Sequence, residues 1–275
     1  MSLSPRNPAA PPRLTATALA AAMARGDIRV AFQPKVALAD ATLIGVEALA
    51  RWTDPALGAV PPDRFIPLAE RHELIGALTM AVLRESLAAA RLLRCHHPEA
   101  TVAVNISPVL LDDPALPDAI TALLDAAGLP AGALVAEITE GRPFADPARA
   151  AAVLAELRAR GIGCAMDDFG TGYATLPALL RMPFTELKID RSFVARIIDL
   201  PEANRLVRAT ITLGQSLGLR VVAEGIENAA VAALLREAGC DAGQGYHFGR
   251  AMPVAAVLDR WPGPARGATC ANPLS

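Results

Sequence analysis

Two adjacent carboxylates, Asp167 and Asp168, end a short apolar run, and Phe169, Gly170, Thr171 and Gly172 follow at once. Burying neighbouring acids is costly unless cations hold them, and glycine lets a backbone turn tightly or approach a ligand. The pair points to a metal site at a strand end, although two acids also cap helices. Other apolar runs end in polar side chains too: Glu47, Asn105, Glu137, Lys188 and Glu224 each stand near the end of one. A lone acid there is readily a solvated strand end. Five acids and an asparagine at successive strand ends are a poor match to chance, and the single Lys188 cannot neutralise them. Oxygen donors without histidine or cysteine select hard ions such as Mg²⁺ or Mn²⁺. This many carboxylates suits two metals sharing a bridging acid, an arrangement fitted to in-line displacement at phosphorus.

Lys188 has a rival role. A lysine inside a barrel can form a Schiff base, but only as a neutral amine. Nearby carboxylates keep it protonated, which favours a lysine that positions or polarises water. The triplet Asp168-Phe169-Gly170 also matches one found in protein kinases. No companion glycine-rich phosphate loop, His-Arg-Asp loop or Walker sequence accompanies it. His72, His96, His97 and His247 show no metal-ligand spacing.

The elements that must carry these residues follow from apolar runs and breakers. Strands are expected at 29–37, 43–50, 101–106, 133–138, 162–167, 185–190, 219–223 and 241–245. Helices are expected at 63–94 with a break, 115–127, 147–160, 175–181, 202–217, 228–238 and 253–260. Asp146-Pro147 reads as an N-cap followed by a first-turn proline, and Gly128, Gly161, Gly218 and Gly239 close helices. The alternation points to an α/β fold, a TIM (β/α)8 barrel, whose C-terminal strand ends would gather the polar residues at one mouth. Only Ala39 to Thr42 separate the first two strands, too few for a parallel crossover. The barrel is therefore expected to be modified, with an antiparallel first strand. An open doubly wound sheet is the alternative, but no dinucleotide fingerprint follows any strand.

Bulk properties set the bounds. A chain of 275 residues, 53% hydrophobic and 20% charged, can bury a sizeable core. A net charge of -2 gives no basic surface for a nucleic-acid polymer. Cys95, Cys164, Cys240 and Cys270 form no CxxC pair and read as reduced thiols of a cytoplasmic protein. The stretch from Leu14 to Ala24 has some signal-peptide character but reads better as an alanine-rich helix ended by Arg25-Gly26. No uncharged apolar run reaches the roughly 18 residues of a membrane span. One barrel domain is expected over 14–261, between a loose proline-rich segment at 1–13 and a loose tail at 262–275.

In order, the chain carries Phe32-Gln33-Pro34, Glu47-Ala48-Leu49-Ala50-Arg51-Trp52, Val104-Asn105-Ile106-Ser107, Glu137-Ile138-Thr139-Glu140, Asp167 to Tyr173, Leu187-Lys188-Ile189-Asp190, Val222 to Glu227, and Gln244-Gly245-Tyr246. In this it closely resembles the EAL-domain phosphodiesterases, bacterial enzymes that linearise cyclic di-GMP on a TIM-like barrel. The resemblance runs from about Thr15 to Pro253. It implies that Glu47, Asn105, Glu137 and Asp167 hold one divalent cation, Mg²⁺ or Mn²⁺. Asp167 would bridge to a second, held with Asp168 and Glu224. Lys188 would lie by the attacking water, with either Lys188 or Glu224 as general base. Arg51 resembles a phosphate clamp, and Gln33, Leu49, Asp190, Glu227 and Gln244 resemble ligand-binding positions. Glu140 resembles the acid that anchors the 168–173 loop, which in this family links the site to a homodimer interface. Ala50, Ala174, Thr175, Gly249 and Ala251 depart from the common pattern, and none removes a metal ligand. The function implied is hydrolysis of cyclic di-GMP to pGpG in the cytoplasm. The alternative is a catalytically silent relative that only binds the dinucleotide or a partner protein, but such relatives typically lose ligands that this chain keeps.

Overall fold

The computed structural model of the chain describes residues 14–139, 144–170 and 176–263. The chain opens with α1 (Ala16–Arg25), then β1 (Ile28–Ala37), β2 (Leu43–Asp54) and β3 (Gly58–Val60), followed by α2 (Pro62–Arg71) and α3 (Ile75–His96). Next come β4 (Thr101–Asn105), α4 (Leu116–Ala127), β5 (Leu134–Thr139), α5 (Pro147–Ala159), β6 (Gly163–Phe169), α6 (Leu176–Arg181) and β7 (Glu186–Ile189). The last elements are α7 (Arg191–Val194), α8 (Pro201–Ser216), β8 (Arg220–Ala223), α9 (Ala229–Glu237), β9 (Ala242–Gln244) and α10 (Val254–Arg260).

Local chemistry explains most boundaries. Thr15 caps α1 by accepting from the Ala18 amide, and Gly26 ends it in left-handed backbone at φ 74. The expected alanine-rich helix is therefore present. Asp146 accepts from the Ala148 and Arg149 amides at the start of α5, with Pro147 in the first turn. The expected break in 63–94 falls between α2 and α3, where Glu73 takes φ 58.

The strands form one sheet that closes on itself, in the order β1-β9-β8-β7-β6-β5-β4-β2, with β1 pairing β2. From β2 through β9 the barrel pairings are parallel. β1 runs antiparallel to both neighbours, β2 and β9, as the short first turn requires. β3, which the sequence did not reveal, pairs only with the far end of β2, outside the barrel.

Alternation along the strands sorts the two faces. The outward side chains pack with the helices in a continuous apolar core that includes Trp52, Phe65, Leu83, Leu93, Ile120 and Leu154. The inward face is unusual for a barrel, where branched apolar side chains normally dominate. Below the polar mouth it holds the small cluster Ala103, Val135 and Ala165. Beside these sits a buried ion pair, Lys35 Nζ to Glu186 Oε2 at 2.8 Å, with Arg220 at 3.4 Å from the other Glu186 oxygen.

No helix among the described residues is long and apolar enough to cross a membrane. Cys164 and Cys240 are free, and burial pushes both thiols up to about 12. Cys95 is disulfide-bonded, which corrects the expectation of four reduced thiols. The segments 1–13 and 264–275, most of the expected loose ends, lie outside the described residues, as do Glu140 and 171–175.

Candidate active site

Successive strand ends bring the acids to one mouth. Glu47 projects from β2, Asn105 from β4, Glu137 from β5, Asp167 and Asp168 from β6, and Lys188 from β7. Glu224 follows β8 directly, and Gln244 ends β9. In a regular strand Asp167 and Asp168 would face opposite sides. The β6–β7 register shifts between Met166 and Phe169, and Asp168 takes φ 57. This bulge turns both acids onto one cavity of about 420 Å³.

Lys188 is the hub. Its Nζ lies 2.7 Å from Glu224 Oε1, 2.9 Å from Asp167 Oδ1, 3.0 Å from Glu137 Oε1 and 3.7 Å from Glu47 Oε2. Amide donors hold Glu47 from either side: Asn105 Nδ2 donates to Oε1 at 3.0 Å and Gln244 Nε2 to Oε2 at 2.6 Å. Gln244 Nε2 also donates to Glu224 Oε1 at 3.0 Å.

One cation cannot satisfy so many acids, and their affinities for protons split accordingly. Burial opposes ionisation of Glu47, but Lys188, Gln244 and Asn105 outweigh it and hold that carboxyl below its ordinary range. Burial pushes Glu137 well above its ordinary range, reinforced by Glu47 and Asp167 against the pull of Lys188. Burial raises Glu224 to about 8 despite Lys188, with Asp167 and Glu47 adding to the rise. Burial and the charges of Asp167 and Asp190 raise Asp168 to about 6. Burial opposes the charge on Lys188, yet the surrounding carboxylates hold it well above the ordinary lysine value.

This pattern is that of a site short of positive charge. Both buried oxygens of Glu137 lack a hydrogen bond of regular geometry. Asp167, Asp168 and Glu224 each offer an oxygen, all within 4.8 Å of one another. An all-oxygen, carboxylate-rich donor set with orphaned buried atoms fits hard divalent cations.

The remaining expected ligand-binding residues divide. Gln33, Leu49, Asp190, Glu227 and Gln244 line the same cavity. Asp190 is also fixed locally, accepting from the Ser192 amide at 2.9 Å and from the Ser192 hydroxyl. Arg51 is not among the lining residues, and its Nη1 donates to its neighbour's carbonyl, Ala50 O, at 2.9 Å. Glu140 lies outside the described residues. The sequence reading missed Arg191 and Tyr246 as lining residues. Their adjacency to Asp190 and to Gln244-Gly245 was the available signal. A second, more apolar cavity of about 300 Å³ adjoins the first and shares Leu49, Asp167 and Asp168 with it.

Two backbone approaches shape the floor. A Cβ on Gly245, at φ 155, would lie 2.2 Å from both the nitrogen and the oxygen of Ile226. A Cβ on Gly225 would lie 2.4 Å from Arg191 Cβ. Only glycine lets the segments carrying Glu224, Glu227 and Gln244 meet this closely.

The model of the EAL domain family matches residues 16–251. The chain is 43% identical over 235 residues to a signalling protein of Caulobacter vibrioides, covering 86% of this chain and 29% of that one. It is 38% identical over 234 residues to the cyclic di-GMP phosphodiesterase RocR of Pseudomonas aeruginosa, covering 85% and 60%. The chain thus spans less than two thirds of either relative's length. Among solved structures it resembles the phosphodiesterase PaMucR in complex with c-di-GMP. The TM-score is 0.82 and identity 37%, over 88% of this chain and 98% of that one.

Proposed function

The chain belongs to the EAL domain family, and from that premise we propose that it hydrolyses cyclic di-GMP to linear 5'-pGpG. The observation that carries the reading is the set of acids gathered around Lys188 with no expected ligand missing. Glu47, Asn105, Glu137 and Asp167 would hold one divalent cation, and Asp167, Asp168 and Glu224 a second. Mg²⁺ or Mn²⁺ bound there supplies Lewis acidity to the phosphodiester and lowers the proton affinity of water.

The chain's own residues do the rest. Asn105 and Gln244 fix the Glu47 carboxylate in one orientation. Lys188, held charged by the surrounding carboxylates, serves as a donor that orients an oxygen beside Asp167 and Glu224. Glu224 Oε1, 2.7 Å from Lys188 Nζ, is the carboxylate nearest that donor. Gln33, Leu49, Asp190 and Glu227 line the space where the dinucleotide would lie. A homodimer and a cytoplasmic setting accompany this reading, and light scattering of the purified protein tests the first.

The functional test is incubation of purified protein with cyclic di-GMP and Mg²⁺ or Mn²⁺, followed by chromatography for pGpG. Product is expected with metal and none with a chelator. Retained dinucleotide binding without product under any metal condition would instead identify a silent binding module. Glu47→Ala removes a ligand and little core volume, so it should lose at least about a hundredfold in turnover while keeping the wild-type circular dichroism spectrum.

A further inference from the structure

Lysine is rare in this chain. Of its 26 lysines and arginines only Lys35 and Lys188 are lysines. Both are buried inside the barrel, each against carboxylates. Lys188 serves the mouth, whereas Lys35 has no part in the chemistry set out above. Arginine fills every other basic position. Lysine inside the barrel brings what arginine lacks, a compact ammonium on a flexible stem.

Alternation puts the residue two places below each inward residue of the mouth on the same inward face. Six of these are small: Gly45, Ala103, Val135, Ala165, Val222 and Ala242. The other two are Lys35, below Gln33 on β1, and Glu186, below Lys188 on β7. Lys35 stands opposite Gly45 on one side and Gln244 on the other. Its Nζ meets Glu186 Oε2 at 2.8 Å. Arg220 reaches the other oxygen only at 3.4 Å, and it is half exposed, so water screens much of its charge. Glu186 is thus a further buried acid, two residues from Lys188 on one strand face. Burial opposes its charge, but Lys35, then Arg220 and Lys188, hold that carboxyl below its ordinary range. Lys188 therefore feels Glu186 as well as the mouth. Charge alone holds it at the mouth, since among the described residues its ammonium makes no hydrogen bond of regular geometry. A carboxylate left bare beneath it would compete for the same ammonium.

We propose that Lys35 is a positioning residue for the mouth: by occupying Glu186 it leaves the Lys188 ammonium to Glu47, Glu137, Asp167 and Glu224. The two lysines thereby divide the barrel interior into a sealed lower pair and a working upper hub. What this does for metal and turnover rests on the divalent-cation reading of the mouth. The place of the Lys188 ammonium does not.

Nuclear magnetic resonance of metal-free protein labelled at the lysine Nζ tests this, because only Lys35 and Lys188 give signals. In Lys35→Met the one remaining signal, that of Lys188, should shift from its wild-type position. In Lys35→Met/Glu186→Leu it should return, because no carboxylate is left below. A purely structural role moves the signal in neither variant or in both. A Lys188 signal unmoved in Lys35→Met, or equally displaced in the double variant, overturns the proposal. Lys35→Gln keeps a donor for Glu186 without the charge, and replaces Lys35→Met should that variant fail to fold. Calorimetric titration with Mn²⁺ adds a sign. Lys35→Met draws Lys188 away from the mouth acids and should bind Mn²⁺ about fivefold or more tightly, yet turn over cyclic di-GMP more slowly. Glu186→Gln strands the Lys35 ammonium beneath the mouth and should bind Mn²⁺ about fivefold or more weakly. A loosened fold alone weakens binding in both, and that outcome overturns the proposal. If wild type and variants all fail to bind Mn²⁺, the metal reading fails by itself, and the lysine signals still decide the role of Lys35.

Discussion

At the scale of single residues the site is a problem of charge, and its acids should respond to pH and metal together. Asp168, raised to about 6, and Glu224, raised to about 8, hold protons that a bound cation would displace. Affinity for Mn²⁺ should therefore rise between pH 6 and pH 8.5, with protons released on binding. Calorimetry in buffers of different ionisation heat measures both. Without metal the sign for stability is opposite. An acid whose affinity for protons rises on folding favours the folded state while protonated, and that contribution is lost as pH climbs from its ordinary value to the raised one. The chelated protein should lose melting temperature from about pH 5 to pH 8, and saturating Mn²⁺ should flatten the fall. Asp168 also carries a conformational cost, since φ 57 suits asparagine or aspartate and penalises a β-branched side chain. Asp168→Asn should keep stability and lose turnover, whereas Asp168→Val should also lose about 1–3 kcal/mol in denaturant melts. Glu47, Asp167 and Glu224 were legible because each ends an apolar run. The place of Arg191 in the cavity lining was not, because the glycine that leaves it room stands more than 30 residues away in the chain.

Among the elements, the strands were the most legible. Apolar runs and the breakers between them marked each barrel strand, and the short link after Ala37 foretold the antiparallel β1. Three features escaped. The three-residue β3 has too little pattern to register, α7 is one turn long, and the β6 bulge leaves no compositional mark. Yet the bulge decides whether Asp168 reaches the cleft at all. The glycines past β8 and β9 matter in the same way. Gly245→Ala would drive a methyl group into the Ile226 backbone at 2.2 Å. It should cost about 1–3 kcal/mol and weaken metal binding through displaced Glu224 and Gln244. Melting curves with and without Mn²⁺ separate these two effects.

For the molecule as a whole, the barrel carries charge where such barrels usually carry branched apolar side chains. Lys35 and Glu186 face each other at 2.8 Å, almost wholly out of water. Removing one partner strands the other, so Lys35→Met should destabilise by about 3–5 kcal/mol, and adding Glu186→Leu should restore most of that. Urea melts of both single variants and the double variant close the cycle. Nothing in the one-dimensional pattern paired these two, because their contact spans 151 positions. The same holds for the bond from Gln244 to Glu47, which spans 197 positions. That bond sits where β9 seals against β1. A ribosome makes this chain from the β1 end, so Glu47 emerges early and waits for Gln244. The pocket of acids consequently stays incomplete until β9 has been made, and a nascent chain halted before β9 would carry every acid of the cleft and no finished site.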